Sequence, residues 1–220
     1  MNAIVRVSAF QYPFVPLAIL RAELLGGGKT MDQFSYVVGL LSIITGLALS
    51  DMGISLHRIL KRRSKVRWDW LTFAIAAYVA FVIVRFWYQV WSIRGVAGVT
   101  GLFFFLGIIA ENFVLFLIAA SSLPDEDDFV PGAVDLKAFQ GKNSTYLWRL
   151  FLLFTAMWAA HGLYFAIVAR RVFDLHIVLV FVVPLLLSGG LAFARERKWQ
   201  VLLFAALLAH EAWWMVVAHF

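Results

Sequence analysis

Six stretches of this chain stay apolar for about 20 residues each: Phe34–His57, Trp70–Ile93, Leu102–Leu123, Leu147–Ala169, Leu175–Ala194 and Trp199–Phe220. At about 1.5 Å per residue, a helix of that length crosses the roughly 30 Å hydrocarbon core of a bilayer. Leu, Ile, Val and Phe fill these runs without the strict alternation of a barrel strand. Hydrophobic residues are 63% of the chain, against about 45–50% in an ordinary soluble domain. A domain of this size folded in water would leave too much of that surface exposed. The expected fold is all-α, a polytopic bundle of six transmembrane helices over residues 31–220. The chain has no cysteine, which excludes disulfides, thiolate metal centres and a cysteine nucleophile.

The segment before Met31 reads differently. Ala3–Leu20 is apolar but holds Pro13 and Pro16, with Arg6 inside it and Arg21 and Glu23 after it. It fits a signal-like or seventh hydrophobic segment, or a loosely ordered extension ahead of a cleaner start at Met31. The extension, residues 1–30, is the favoured reading. Gly26-Gly27-Gly28-Lys29-Thr30 lacks both the spacing and the preceding strand of a phosphate-binding loop.

The basic residues set an orientation. Arg58, Lys61, Arg62, Arg63, Lys65 and Arg67 follow the first span, Lys137, Lys142 and Arg149 follow the third, and Arg195, Arg197 and Lys198 follow the fifth. The opposite loops carry Lys29, Arg94, Arg170 and Arg171, joined by Arg6 and Arg21 if the extension stays there. The positive-inside rule then puts loops 58–67, 124–146 and 195–198 in the cytoplasm and the C-terminus outside. Trp68, Trp70, Trp148 and Trp199 would mark the inner edges, and Trp87 and Trp91 an outer one. The basic run His57–Arg67 suits anionic lipid headgroups; it lacks the aromatic or groove-reading elements that nucleic acid requires. Pro124–Tyr146 reads as a solvated loop with room for a short surface helix at Asp135–Gln140, and its acids Asp125–Asp128 as a turn.

Met31, Phe34 and Tyr36, the run Ser42-Ile43-Ile44-Thr45-Gly46-Leu47, then His57-Arg58 and Val66-Arg67-Trp68 form a recognisable series. With Trp87, Trp91, Leu123-Pro124-Asp125 and Asp135-Leu136, it resembles a family of uncharacterised bacterial polytopic membrane proteins. The likeness runs from about Met31 to Arg149. It implies a bacterial inner-membrane location and transfers no catalytic residue.

Charges inside spans are rare because each costs roughly 2.5–3.5 kcal/mol at the helix centre. Here they are Asp51, Arg85, Glu111, His161, His210 and Glu211, with Asp174, His176 and His219 near the outer edge. Counted from the inner edges, His210 lies about 17 Å up, His161 about 20 Å and Arg85 about 23 Å, with Glu111 near the same level. Several readings fit this shared depth. The groups could satisfy one another, with Glu111 paired to Arg85, supported by Asn112, and the histidines bonded to backbone or a carboxylate. They could form a proton, cation or small-solute pathway, with Glu111, Glu211, His161 and His210 titrating and Arg85 as countercharge. His161 and His210 could instead hold haem or a divalent metal with Glu111 or Glu211, making a redox or sensor protein, although no cofactor is demanded and no Glu-x-x-His or His-Glu-x-x-His occurs. A non-catalytic scaffold also remains. A Ser188–His210 protease dyad lacks its flanking glycines, and no span holds a lysine for a retinal Schiff base.

Gly39, Ser42, Gly46, Ser50 and Gly53 line one side of the first span. Small residues admit a close helix neighbour, which is expected within the bundle, with a homo-oligomer seam as the alternative. Asp51, beside them, has Arg58 or headgroup water as its expected partner. Pro184, just before Ser188-Gly189-Gly190, should bend the fifth span.

Overall fold

The computed structural model describes residues 33–92, 101–129, 133–168 and 175–217. Residues 1–30, Arg94, Arg170, Arg171, Asp174 and His219 lie outside the described residues. Each expected span is a helix: α1 Gln33–Lys61, α2 Trp70–Ser92, α3 Leu102–Ser122, α4 Leu136–Val168, α5 Leu175–Phe193 and α6 Arg197–Val217. Four segments are long and apolar enough to cross a membrane, namely Phe34–Lys61, Trp70–Trp91, Leu102–Asp128 and Arg197–Val216. In α5 the shorter stretch Leu179–Phe193 is apolar, and the helix runs through Pro184.

The helices pack in a layered order. α3 contacts α1, α2 and α4, and α5 lies between α4 and α6. Leu41, Leu71, Ile75, Ile83, Leu115, Ile118, Leu147 and Phe151 are buried between them. Large apolar side chains also face outward on every helix; Phe103 is 88% exposed and Leu186 67%. In water such a surface would aggregate, whereas hydrocarbon solvates it.

The three basic loops meet at one end. Val66–Arg67 pairs in parallel with Val134–Asp135. Arg58 reaches Asp125 at 3.2 Å and Glu126 at 3.4 Å, Arg67 reaches Asp135 at 3.0 Å, and Arg197 pairs with Asp69. This places loops 58–67, 124–146 and 195–198 on a common side, as the charge pattern requires. Arg58 is therefore engaged by the acidic turn and does not pair with Asp51. That turn is ordered by a capping box between Asp125 and Asp128.

Two expectations fail here. The long loop ends at Asp135, not Tyr146, because α4 runs unbroken for 33 residues from Leu136. At 1.5 Å per residue it is about 50 Å long. The reason is local: Asp135 accepts the backbone N–H groups of Lys137 and Ala138, both at 3.0 Å, and caps the helix. Leu136, Gln140 and Ser144 then bury one face at helical spacing. Trp148 is no edge marker either. It is fully buried, with its ring against Phe151 and Phe204.

The Ala138 N–H is the main cause holding the Asp135 carboxyl below the usual carboxylate range, and Arg67 adds to it against some desolvation. A carboxyl lowered in the folded state stabilises the fold above its unfolded pKa, and this is lost as pH falls through the native value. Asp135→Ala should therefore lower the melting temperature in detergent at pH 7. The gap to the parent should close as pH falls below about 4, the usual aspartate range. Coincident melting curves at pH 7 would show that the cap contributes nothing.

Candidate functional site

The inward face of α3 carries Phe104, Ile108, Glu111, Asn112, Leu115 and Ile118. Their three- and four-residue spacing defines a helical stripe, and it brings a carboxylate into the core with the apolar side chains. Glu111 has no solvent exposure. Its Oε1 lies 2.6 Å from Nδ1 of His161 on α4, and its Oε2 has no partner among the described residues. The imidazole sits beside the Phe104 ring, with centroids 5.5 Å apart. It also lies directly over Gly107: a Cβ there would be 2.4 Å from His161 Nε2. Only a glycine leaves room for the ring in this position.

A second pair ties α2 to α6. Arg85 bonds Glu211 Oε2, and the Tyr78 hydroxyl donates to Glu211 Oε1 at 3.4 Å. Glu211 is buried, and the Arg85 Nε–H is unpartnered among the described residues. On α6, Gln200, Phe204, Leu207 and Glu211 form the buried stripe that points this carboxylate inward.

The expected partners are thus exchanged. Arg85 pairs with Glu211 rather than Glu111, because Glu111 is occupied by His161 across the α3–α4 interface. Asn112 supports neither pair. It donates to the Leu41 carbonyl at 3.0 Å and accepts from Thr45 at 3.4 Å, joining α3 to α1. His210 bonds backbone: its Nε2 is 3.1 Å from the Leu179 carbonyl, with Nδ1 buried and unpartnered among the described residues.

His161 and His210 thus each have a partner of their own, Glu111 and the Leu179 carbonyl. Among the described residues no group of three His, Cys, Asp or Glu side chains is placed to hold a metal ion. Ser188 is buried with no partner for its hydroxyl among the described residues, so it forms no dyad with His210. Among the described residues the small-residue stripe is not packed against another helix. Gly39, Ser42, Gly46, Ser50 and Gly53 are all exposed, and nothing lies within 4 Å of a Cβ built on the three glycines. Ser42 is touched from the side, accepting the Trp87 indole N–H at 2.9 Å. Among the described residues the stripe thus faces away from the other helices, contrary to the expected packing within the bundle.

Sequence reasoning passed over Gly107 and Tyr78. A glycine inside an apolar helix, one turn before a buried carboxylate, was the available signal for the first. Tyr78 lies seven residues before Arg85 on one face of α2, but a tyrosine in an apolar run is unremarkable until its partner is seen.

No family model, curated protein or solved structure matches this chain. These comparisons leave the resemblance over Met31–Arg149 where the sequence put it.

Two glycine substitutions separate the site from the outer surface. Gly107→Ala should force His161 off Glu111 and destabilise the protein by about 1–3 kcal/mol, as overpacking does. Gly46→Ala, with open space around it, should change stability by less than about 0.5 kcal/mol. Denaturation in detergent micelles measures both. Equal stability of the two variants would contradict the placement of His161.

Proposed function

We propose that this chain is a six-span protein of the bacterial inner membrane that moves protons. The Glu111–His161 pair holds the transported proton, and Arg85–Glu211 is a second, separate buried ion pair in the bundle. The observation that carries this reading is a wholly buried carboxylate at 2.6 Å from an imidazole, with its other oxygen unpartnered. One proton shared by this pair leaves it neutral as carboxyl–imidazole or as carboxylate–imidazolium. Either form avoids the cost of an isolated charge in hydrocarbon.

The unpartnered Oε2 is where a second proton is taken up. As it binds there, the proton on Oε1 crosses to Nδ1, and the partly exposed imidazole passes its Nε2 proton to water on the exit side, so one enters and one departs. A protonated His161 and a neutral Glu111 never need to coexist for long. The imidazole is suited to this because its two ring nitrogens can take a proton on one side and release one on the other. Arg85 and Glu211 neutralise each other within their own pair. A hydrated metal cation is a poorer cargo. It requires several oxygen ligands, and the described residues offer no cluster of that kind.

In this reading the basic loops face the cytoplasm, the C-terminus lies outside, and His57–Arg67 rests on anionic headgroups. The 33-residue α4 projects beyond the hydrocarbon core at that end.

Proton flux into proteoliposomes, followed with a trapped pH dye under an imposed potential, tests the assignment. Glu111→Gln removes the titrating oxygen but keeps the shape. It should abolish flux while the protein stays folded, whereas Glu126→Gln in the exposed turn should leave flux unchanged. Undiminished flux through Glu111→Gln would end the reading.

A further inference from the structure

The polar side chains between α2, α4 and α6 are not explained by the two pairs. Gln140, Ser144 and Trp148 follow one another at four-residue steps, so they share one face of α4. All are buried, Gln140 at 2% and Trp148 at 0% exposure. The Gln140 amide N–H and the Trp148 indole N–H find no acceptor among the described residues. Buried donors are nearly always satisfied, and leaving one bare costs about 1–3 kcal/mol. Two on one helix face, flanked by more polar groups, mark a place where water enters.

Those flanking groups run in order along the interface. At the basic-loop end Asp69 on the α2 side pairs with Arg197 at the start of α6, and Thr72 donates to Asp69 at 3.2 Å and to the Leu136 carbonyl at 3.1 Å. One turn further, Gln200 donates to Ser144 at 3.1 Å and to the Ala194 carbonyl at 2.9 Å. Trp148 comes next, and then an aromatic layer: Tyr78 stacks on Phe151 at 5.8 Å and meets Phe204 edge-on at 5.7 Å. Beyond that layer the Tyr78 hydroxyl touches Glu211.

We infer that the α2–α4–α6 interface is a water-admitting entry path from the basic-loop end. The Asp69–Arg197 ion pair closes its mouth, and the Tyr78–Phe151–Phe204 layer closes its inner end. Arg197 retains 34% side-chain exposure against 7% for Asp69, so the pair opens by the arginine swinging outward. Water then reaches Ser144, Gln140 and the Trp148 N–H. The aromatic layer stops it short of Leu207 and Glu211. The path leads toward the Arg85–Glu211 pair and not to the Glu111–His161 pair; any use of it by the proposed proton movement rests on that reading, but the hydration itself does not.

The absence of native cysteine makes the path directly measurable. Single-cysteine variants of the full chain in vesicles are exposed to a trimethylammonium methanethiosulfonate from the basic-loop side. Ser144→Cys and Gln140→Cys should react about tenfold or more faster than Ser122→Cys, since local opening sets the rate at a buried site. Ser122 is the control because it is equally buried, at 1% exposure, near the end of α3 and outside this interface. Adding Asp69→Asn should speed labelling of Ser144→Cys further. Leu207→Cys should stay protected, and should react once Phe204→Ala thins the layer. Labelling of both α4 positions no faster than the Ser122 control overturns the path. Ready labelling of Leu207→Cys with Phe204 intact overturns the inner closure. Rapid labelling at Ser144 and Gln140 without any proton flux in the parent sustains this inference and defeats the proposed function alone.

Discussion

Every ionisable group that reaches the interior of this helix bundle must find a partner on another helix, and that constraint shapes the rest of the molecule. Glu111 meets His161 across α3 and α4, and Arg85 meets Glu211 across α2 and α6. Apolar packing alone would let these helices slide or rotate, because one leucine face resembles another. A buried pair does not permit that. Losing one partner of such a pair typically costs about 3–5 kcal/mol, far more than a small adjustment in packing. Interhelical hydrogen bonds such as Asn112 to Leu41 contribute about 0.6–2 kcal/mol each, and they fix α1 in turn.

The two ends and faces of the bundle solve different problems. At the basic-loop end, ion pairs and a two-residue parallel ladder clasp three loops together. Charges there remain partly exposed, so each bond is worth little alone and their value is geometric. In the interior, the same residue types are scarce and individually decisive. On the outer face of α1, the three glycines of the small-residue row have no close neighbour among the described residues.

Much of this was legible in the sequence. The six helices fall where the apolar runs place them, since length and hydropathy are local properties. Glu111, His161, Arg85 and Glu211 stood out because charges in apolar runs are costly. Which of them would meet was not legible. Depth along a helix can be counted, but rotation about its axis and the order of helices depend on packing across the whole chain. For that reason helical depth does not tell Arg85 which glutamate it meets, nor which way the stripe of Gly39, Gly46 and Gly53 faces. The start of α4 was missed for another reason. Its first turns carry Lys137, Gln140, Lys142 and Asn143, which read as loop by hydropathy, although Asp135 was already in place as a cap.

The central claim is that His161 shares a proton with Glu111 inside the bundle. Nitrogen-15 solid-state NMR of histidine-labelled protein in lipid, with His161 assigned by substitution, addresses it most directly. The account predicts a His161 Nδ1 signal displaced by a strong hydrogen bond, which moves when Glu111 is replaced by Gln. A His161 signal that titrates as a free imidazole, and is indifferent to that replacement, would contradict it.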